Sequence, residues 1–230
     1  VDRYKDHLRP EWIDIGARKK FPEQHLLAVN SAARPEPALT LQVVLIQIAA
    51  KRADSAAALA DSITLTDRTS QLMGVRVAAT LDRAGKGDAA ERLRGRIALA
   101  SGQREDPMLL LPDQPVSTPR AGVAQWLGIL ADGLARTPNG SAKLPLLFAR
   151  AAYWLNEEDW AVRATLVEAL DRNGQSRDAM ALLDSGRQEL PAALTMRRPE
   201  LLADAGDLAG AAQLAGAAAN GNPARRLLVR

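Results

Sequence analysis

The side chains that could do chemistry are few and scattered. His7 and His25 are the only histidines in 230 residues, and neither has a second ligand at metal-site spacing, such as another histidine four positions on. The chain has no cysteine, which excludes disulfides, thiolate zinc sites and cysteine nucleophiles. No serine sits in a Gly-x-Ser-x-Gly elbow, and neither a Gly-Lys-Ser/Thr phosphate loop nor a Gly-x-Gly-x-x-Gly turn occurs. The acid run Glu157-Glu158-Asp159 could support paired-carboxylate hydrolysis of a glycan. It falls just before a predicted helix, however, where negative charge favours the N-terminal dipole end, so helix initiation accounts for it. Trp12, Trp126, Trp154 and Trp160 could stack on sugars or bases; Trp126 and Trp154 fall on apolar stripes of predicted helices and are read as core. The expectation is a non-enzyme with no cofactor and no metal.

The elements that must position these residues are helical. Apolar residues make up 47% of the chain but aromatics only 3%, and the apolar share leans on Ala and Leu, which suits close helix packing better than strands. Thirty basic and 27 acidic residues are interspersed for a net charge of +3, so no single-sign field points to a nucleic acid. The most apolar stretch, Leu39 to Ala50, contains Gln42 and Gln47 and falls short of the about 20 residues a membrane span needs; it reads as a buried helix. The Ala- and Arg-rich composition suggests a bacterial source, cytoplasmic or periplasmic.

Residues 1–37 are interrupted by Pro10, Pro22, Pro35 and Pro37 and are read as an irregular segment with short helices at 3–8, 11–20 and 23–33. From residue 38 to 230 the spacing is helical, with a loop inserted at 102–118. Breakers recur at Asp54-Ser55, Gly85-Lys86-Gly87, Pro138-Asn139-Gly140, Asn173-Gly174 and Gly206-Asp207. Four segments superpose, each an apolar helix, a turn and an Ala five residues beyond it: Arg52–Ala57, Gly85–Ala90, Gly174–Ala179 and Gly206–Ala211. Asp88 and Glu91 are spaced as a capping box for the helix after Gly87. Leu144, Leu147, Phe148, Ala151, Ala152 and Leu155 form a helical stripe read as core.

These turns, with Leu183 four residues after Ala179 and with Pro191 and Pro223 closing the last two segments, resemble the tetratricopeptide repeat. The family's early large aromatic is replaced by Leu41, Gly74, Arg163 and Thr195, so the repeats are degenerate. The resemblance implies an all-α solenoid of antiparallel helix pairs in a right-handed superhelix. It also implies a protein-interaction scaffold in which the first helix of each pair lines a concave groove. Carried over by register, the groove-facing polar residues are Gln42, Asp82, Arg83, Gln125, Asp132, Glu168, Asp171, Arg172, Glu200 and Asp204. Six carboxylates against two arginines make that surface acidic, so the expected partner is another protein presenting an extended or basic segment. Envelope assembly, polysaccharide export or a regulatory complex are the roles such a scaffold would serve. A glycan-acting helical-repeat enzyme and an RNA-binding helical-repeat protein are the alternatives; the latter would need a basic, stacking concave face.

Overall fold

A computed structural model describes residues 36–102, 106–112, 114–138, 140–185 and 189–220, together with Trp12 and Gln24. The helices expected at 3–8, 11–20 and 23–33 lie outside these residues, except that Trp12 and Gln24 are each helical; Pro223 lies outside them too. Among the described residues there are ten α-helices and no strand. The chain divides into two compact units, Val1–Leu109 with Asp113–Ile129, and Leu110–Pro112 with Leu130–Arg230.

The first unit contains α1 (Pro37–Ala49), α2 (Ala53–Ser62), α3 (Arg68–Arg83), α4 (Gly87–Ser101) and the beginning of α5 (Pro119–Ala135). α1 opens on Pro37, whose missing N–H costs nothing in a first turn. Leu41 and Val43 to Ile46 are then wholly buried, so this is a core helix on all sides, as its composition predicted. α3 is started by Asp67, whose carboxylate accepts from the Ser70 N–H (2.8 Å) while the Ser70 hydroxyl faces the Asp67 N–H, a reciprocal capping box. The box expected from Asp88 and Glu91 does not form. α4 begins instead on Lys86 with no side-chain cap.

The second unit holds the last turn of α5, then α6 (Lys143–Leu155), α7 (Trp160–Asp171), α8 (Ser176–Asp184), α9 (Arg197–Asp204) and α10 (Leu208–Asn220). The acid run before α7 resolves here: Asp159 accepts from the N–H groups of Ala161 (2.9 Å) and Val162 (3.2 Å) as the helix N-cap.

Four hairpins, α1–α2, α3–α4, α7–α8 and α9–α10, are joined by one and the same turn. A residue with positive φ (Lys51, Gly85, Gly174 or Gly206) donates its N–H to the carbonyl three residues back, and the next N–H reaches the carbonyl five back. The long bonds are Arg52 to Gln47, Lys86 to Leu81, Gln175 to Leu170 and Asp207 to Leu202, all between 2.8 and 3.0 Å. This Schellman closure satisfies the carbonyls that the first helix would otherwise orphan. The carbonyl of the second turn residue then accepts the first bond of the next helix, from Ala56, Ala90, Ala179 or Ala211. The repeat register at the first hairpin is therefore one residue earlier than the sequence comparison placed it. Lys51 stands at the glycine position, not Arg52, and the packing residue is Ala56, wholly buried, not Ala57. Ala90 and Ala179 are also wholly buried.

Within the first unit the second helices are tied together. Lys86 pairs with Asp54 and Arg92 with Asp61 (2.7 Å), while the Arg96 guanidinium donates to the carbonyls of Ala60 and Ile63 (both 2.8 Å) at the C-terminal end of α2. Gly74 takes the place of the large aromatic on α3 because Ile97 from α4 fills that space; a Cβ there would stand 3.0 Å from the Ile97 side chain. At the corresponding place in α7 the buried Arg163 guanidinium stacks over the rings of Trp160 (4.9 Å) and Tyr153 (5.7 Å).

Three residues of the expected loop at 102–118, Asp106, Gln114 and Val116, are fastened to α3. Arg68 pairs with Asp106, Arg76 donates to the Gln114 carbonyl (3.1 Å), and the Val116 N–H donates to Thr80 Oγ1 (2.9 Å). Val116 is itself buried in the core of this unit. Trp12 joins the same core over Gly122, where any Cβ would overlap the indole ring, so α5 needs a glycine there. The stripe read as the core face of α6 is rotated. Pro145, Leu146, Ala149 and Ala152 are buried, whereas Leu144 and Leu147 are exposed. α6 is apolar almost all round, so its spacing did not decide which face would pack on α7. Trp126 is half-buried, but Trp154 is 76% exposed and is not core.

Candidate functional site

The ten residues assigned to a groove by register separate into distinct environments. Gln42 and Gln125 do not present polar groups to a surface; both are 3% exposed inside the first unit. Gln125 donates its amide to Met73 Sδ, an interior contact. Their long methylene stems and the neighbouring apolar residues favour burial over exposure, a balance that polarity alone misjudges. Asp132 is also buried, with Arg136 one turn on at 3.3 Å. Asp82 is exposed but pairs with Arg94 of α4, within its own hairpin. Arg83, the next residue, borders a cleft in the first unit.

The remaining five gather in the second unit. The Arg197 guanidinium, on α9, holds three carboxylates at once: Asp171 (2.6 Å), Glu200 (2.9 Å) and Glu168 (3.1 Å). Asp171 is further held by the Ser176 hydroxyl at 2.6 Å, and Glu168 by Arg172 at 3.1 Å. Arg172 also donates to the Ala135 carbonyl, the last of α5, completing a helix end. Burial works against the charge on Arg197, but Glu200, Glu168 and Asp171 more than offset it and raise its pKa above the usual arginine value. Asp204 is exposed one turn beyond Glu200, with no ion pair among the described residues.

The surface is thus acidic in sum, four carboxylates against two arginines, yet its inner members are already engaged. Arg197 is the residue that sequence reasoning missed. It stands three positions before Glu200, a spacing that signals one local pair, while its contacts with Glu168 and Asp171 depend on where α9, packed on α8, brings its first residue. Among the described residues no group of three or more His, Asp or Glu side chains converges in a way that could hold a metal ion. No helix among them is long and apolar enough to cross a membrane.

Comparisons with protein-family models, with curated proteins and with solved structures find no match to this chain.

Proposed function

We propose that this chain is a non-catalytic protein-interaction scaffold of tetratricopeptide-like helix pairs, and that it takes an extended, Arg-containing segment on the α7–α9 face of its second unit. The observation that carries this reading is the convergence of Glu168, Asp171 and Glu200 on one guanidinium, with Asp204 alongside. Carboxylates spaced to grip Arg197 have the geometry to share or add a second guanidinium, and their excess of charge draws a basic segment to them. The solenoid arrangement belongs to the same proposal and is supported by the recurrence of one turn in four hairpins. The glycan-enzyme alternative needs two carboxylates facing a substrate across a cleft. Glu168 and Asp171 do converge, but on Arg197, which leaves neither poised as a general acid.

The test is fluorescence anisotropy with an arginine-containing peptide and an acidic peptide of equal length. Binding of the basic peptide is expected to weaken as salt rises, because exposed charges are screened over about 8 Å at physiological ionic strength. Glu200→Lys with Asp204→Lys should weaken it chiefly through a slower on-rate, since both residues are exposed and their reversal leaves Asp171 in place. The control is Glu91→Lys with Asp178→Lys, on the second helices α4 and α8. Equal weakening by both pairs, or equal affinity for both peptides, rejects the site.

A further inference from the structure

Three of the four equivalent turns carry glycine at the left-handed position, and the first carries Lys51, with φ of 65°. It is the only non-glycine residue among those described with positive φ. A Cβ makes this conformation unfavourable, and glycine would adopt it without cost. The turn itself does not call for a side chain, since its two closing hydrogen bonds come from backbone N–H groups, as in the other three. What the lysine contributes therefore lies outside the turn.

Lys51 borders a cleft of about 480 Å³ in the first unit, which Arg83 and Ser117 also line. The rest of the wall is mainly apolar, from Ile48, Val116 and several alanines, and no carboxylate lines it. The one other hydroxyl, that of Thr80, is committed: it donates to the Arg76 carbonyl (2.6 Å) and accepts from the Val116 N–H. Lys51 and Arg83 are both exposed and form no ion pair among the described residues. The first residue of α2, Ala53, also borders the cleft, and the N-cap Arg52 supplies no side-chain acceptor to that helix start. Two cations thus border one cleft at which the C-terminal ends of α1 and α3 and the first residue of α2 meet, so the positive charge there is that of the side chains and not of a helix end. A cation at the end of α3 suits that helix's dipole, which would explain Arg83 alone but not a lysine held in a left-handed turn.

We propose that this cleft binds a small anion, a carboxylate or phosphate carried on a short apolar body, with Lys51 and Arg83 as its charge partners. The site lies wholly in the first unit and stands or falls independently of the α7–α9 surface. The test is an amide-resolved nuclear magnetic resonance titration of the full chain with hexanoate, butyl phosphate and the uncharged hexanamide. Both anions, or one of them, should give saturable shifts at Lys51, Ala53, Ala84 and Ser117, about tenfold tighter than hexanamide. The relative affinity of the two anions identifies the head group. Arg83→Gln and Lys51→Gly should each weaken anion binding about tenfold. Lys51→Gly separates binding from folding, because it relieves the backbone while removing the charge: its Tm should equal or exceed that of the parent chain. Hexanamide binding as tightly as the anions, affinity unchanged in both variants, or no saturable shift at these amides in the millimolar range would overturn the proposal.

Discussion

The first unit and the second reach the same hairpin by different physical means. In the first, α1 is buried on every side and a continuous apolar cluster runs from it through Met73, Leu81 and Leu93, with charges at the periphery. In the second, α7 and α9 are linked by charge: Arg197 gathers carboxylates from both helices. One unit relies on area removed from water and the other partly on directional pairing. Sensitivity to mutation should divide along the same line.

The most severe break belongs to the apolar side. Leu45→Ala, at a wholly buried position of α1, should cost about 2–5 kcal/mol in denaturant unfolding, because the cavity adds to the lost transfer energy. A smaller cost would mean that α1 is not the centre of that unit. Next comes the feature common to both units, the small residue after each turn. Ala179→Leu should overpack the α7–α8 crossing by about 1–3 kcal/mol, while Ala181→Leu, exposed on the same helix, should be nearly silent. Equal effects would contradict the shared register. On the polar side, Arg197→Met should cost about 1–2 kcal/mol, since the three carboxylates it leaves are partly exposed and can rehydrate. A gain in stability would show that burying this cation is a net burden.

The smallest effect sharpens the comparison through pH. The hydrogen bond from Arg92 holds the Asp61 carboxyl below its ordinary pKa. A depressed folded pKa contributes stability above the ordinary aspartate value of about 4 and loses it as pH falls through the folded value. The pair is half-exposed, so solvent screens it and the contribution is slight. Tm measured against pH for the parent and for Asp61→Asn should differ a little at neutral pH and converge in acid; a constant gap would assign the difference to something other than this ionisation.

How much of this could be read in the chain beforehand depends on whether a residue's chemistry admits more than one use. Gly85, Gly174 and Gly206 mark their turns because glycine alone takes a left-handed position freely. Lys51 gives no such signal, so residue type alone places the first turn one residue too late. The helical class followed from spacing, but the packed face of α6 did not, since Leu144, Leu146 and Leu147 offer apolar surface in several directions. The acidic surface is legible only in outline: register places Glu168, Asp171 and Glu200 on first helices, whereas their shared counter-ion appears only once α9, packed on α8, brings Arg197 to the end of α7. Gln42 and Gln125 are the least legible of all, since a polar residue type does not by itself mark an exposed position.

The segment fastened along α3 has a consequence for how the first unit breathes. Residues 114–117 form no helix, and by secondary structure alone their amides would exchange with solvent almost as fast as those of an open chain. Val116, however, gives its N–H to a hydroxyl within the core and is 3% exposed. Its exchange must wait for an opening that also separates Thr80 from the segment, so this isolated amide should report the same slow subglobal unfolding as the centre of α3. The boundary of the cooperative unit, measured in protons retained, then falls past the end of α4 and inside what the sequence presents as a loop.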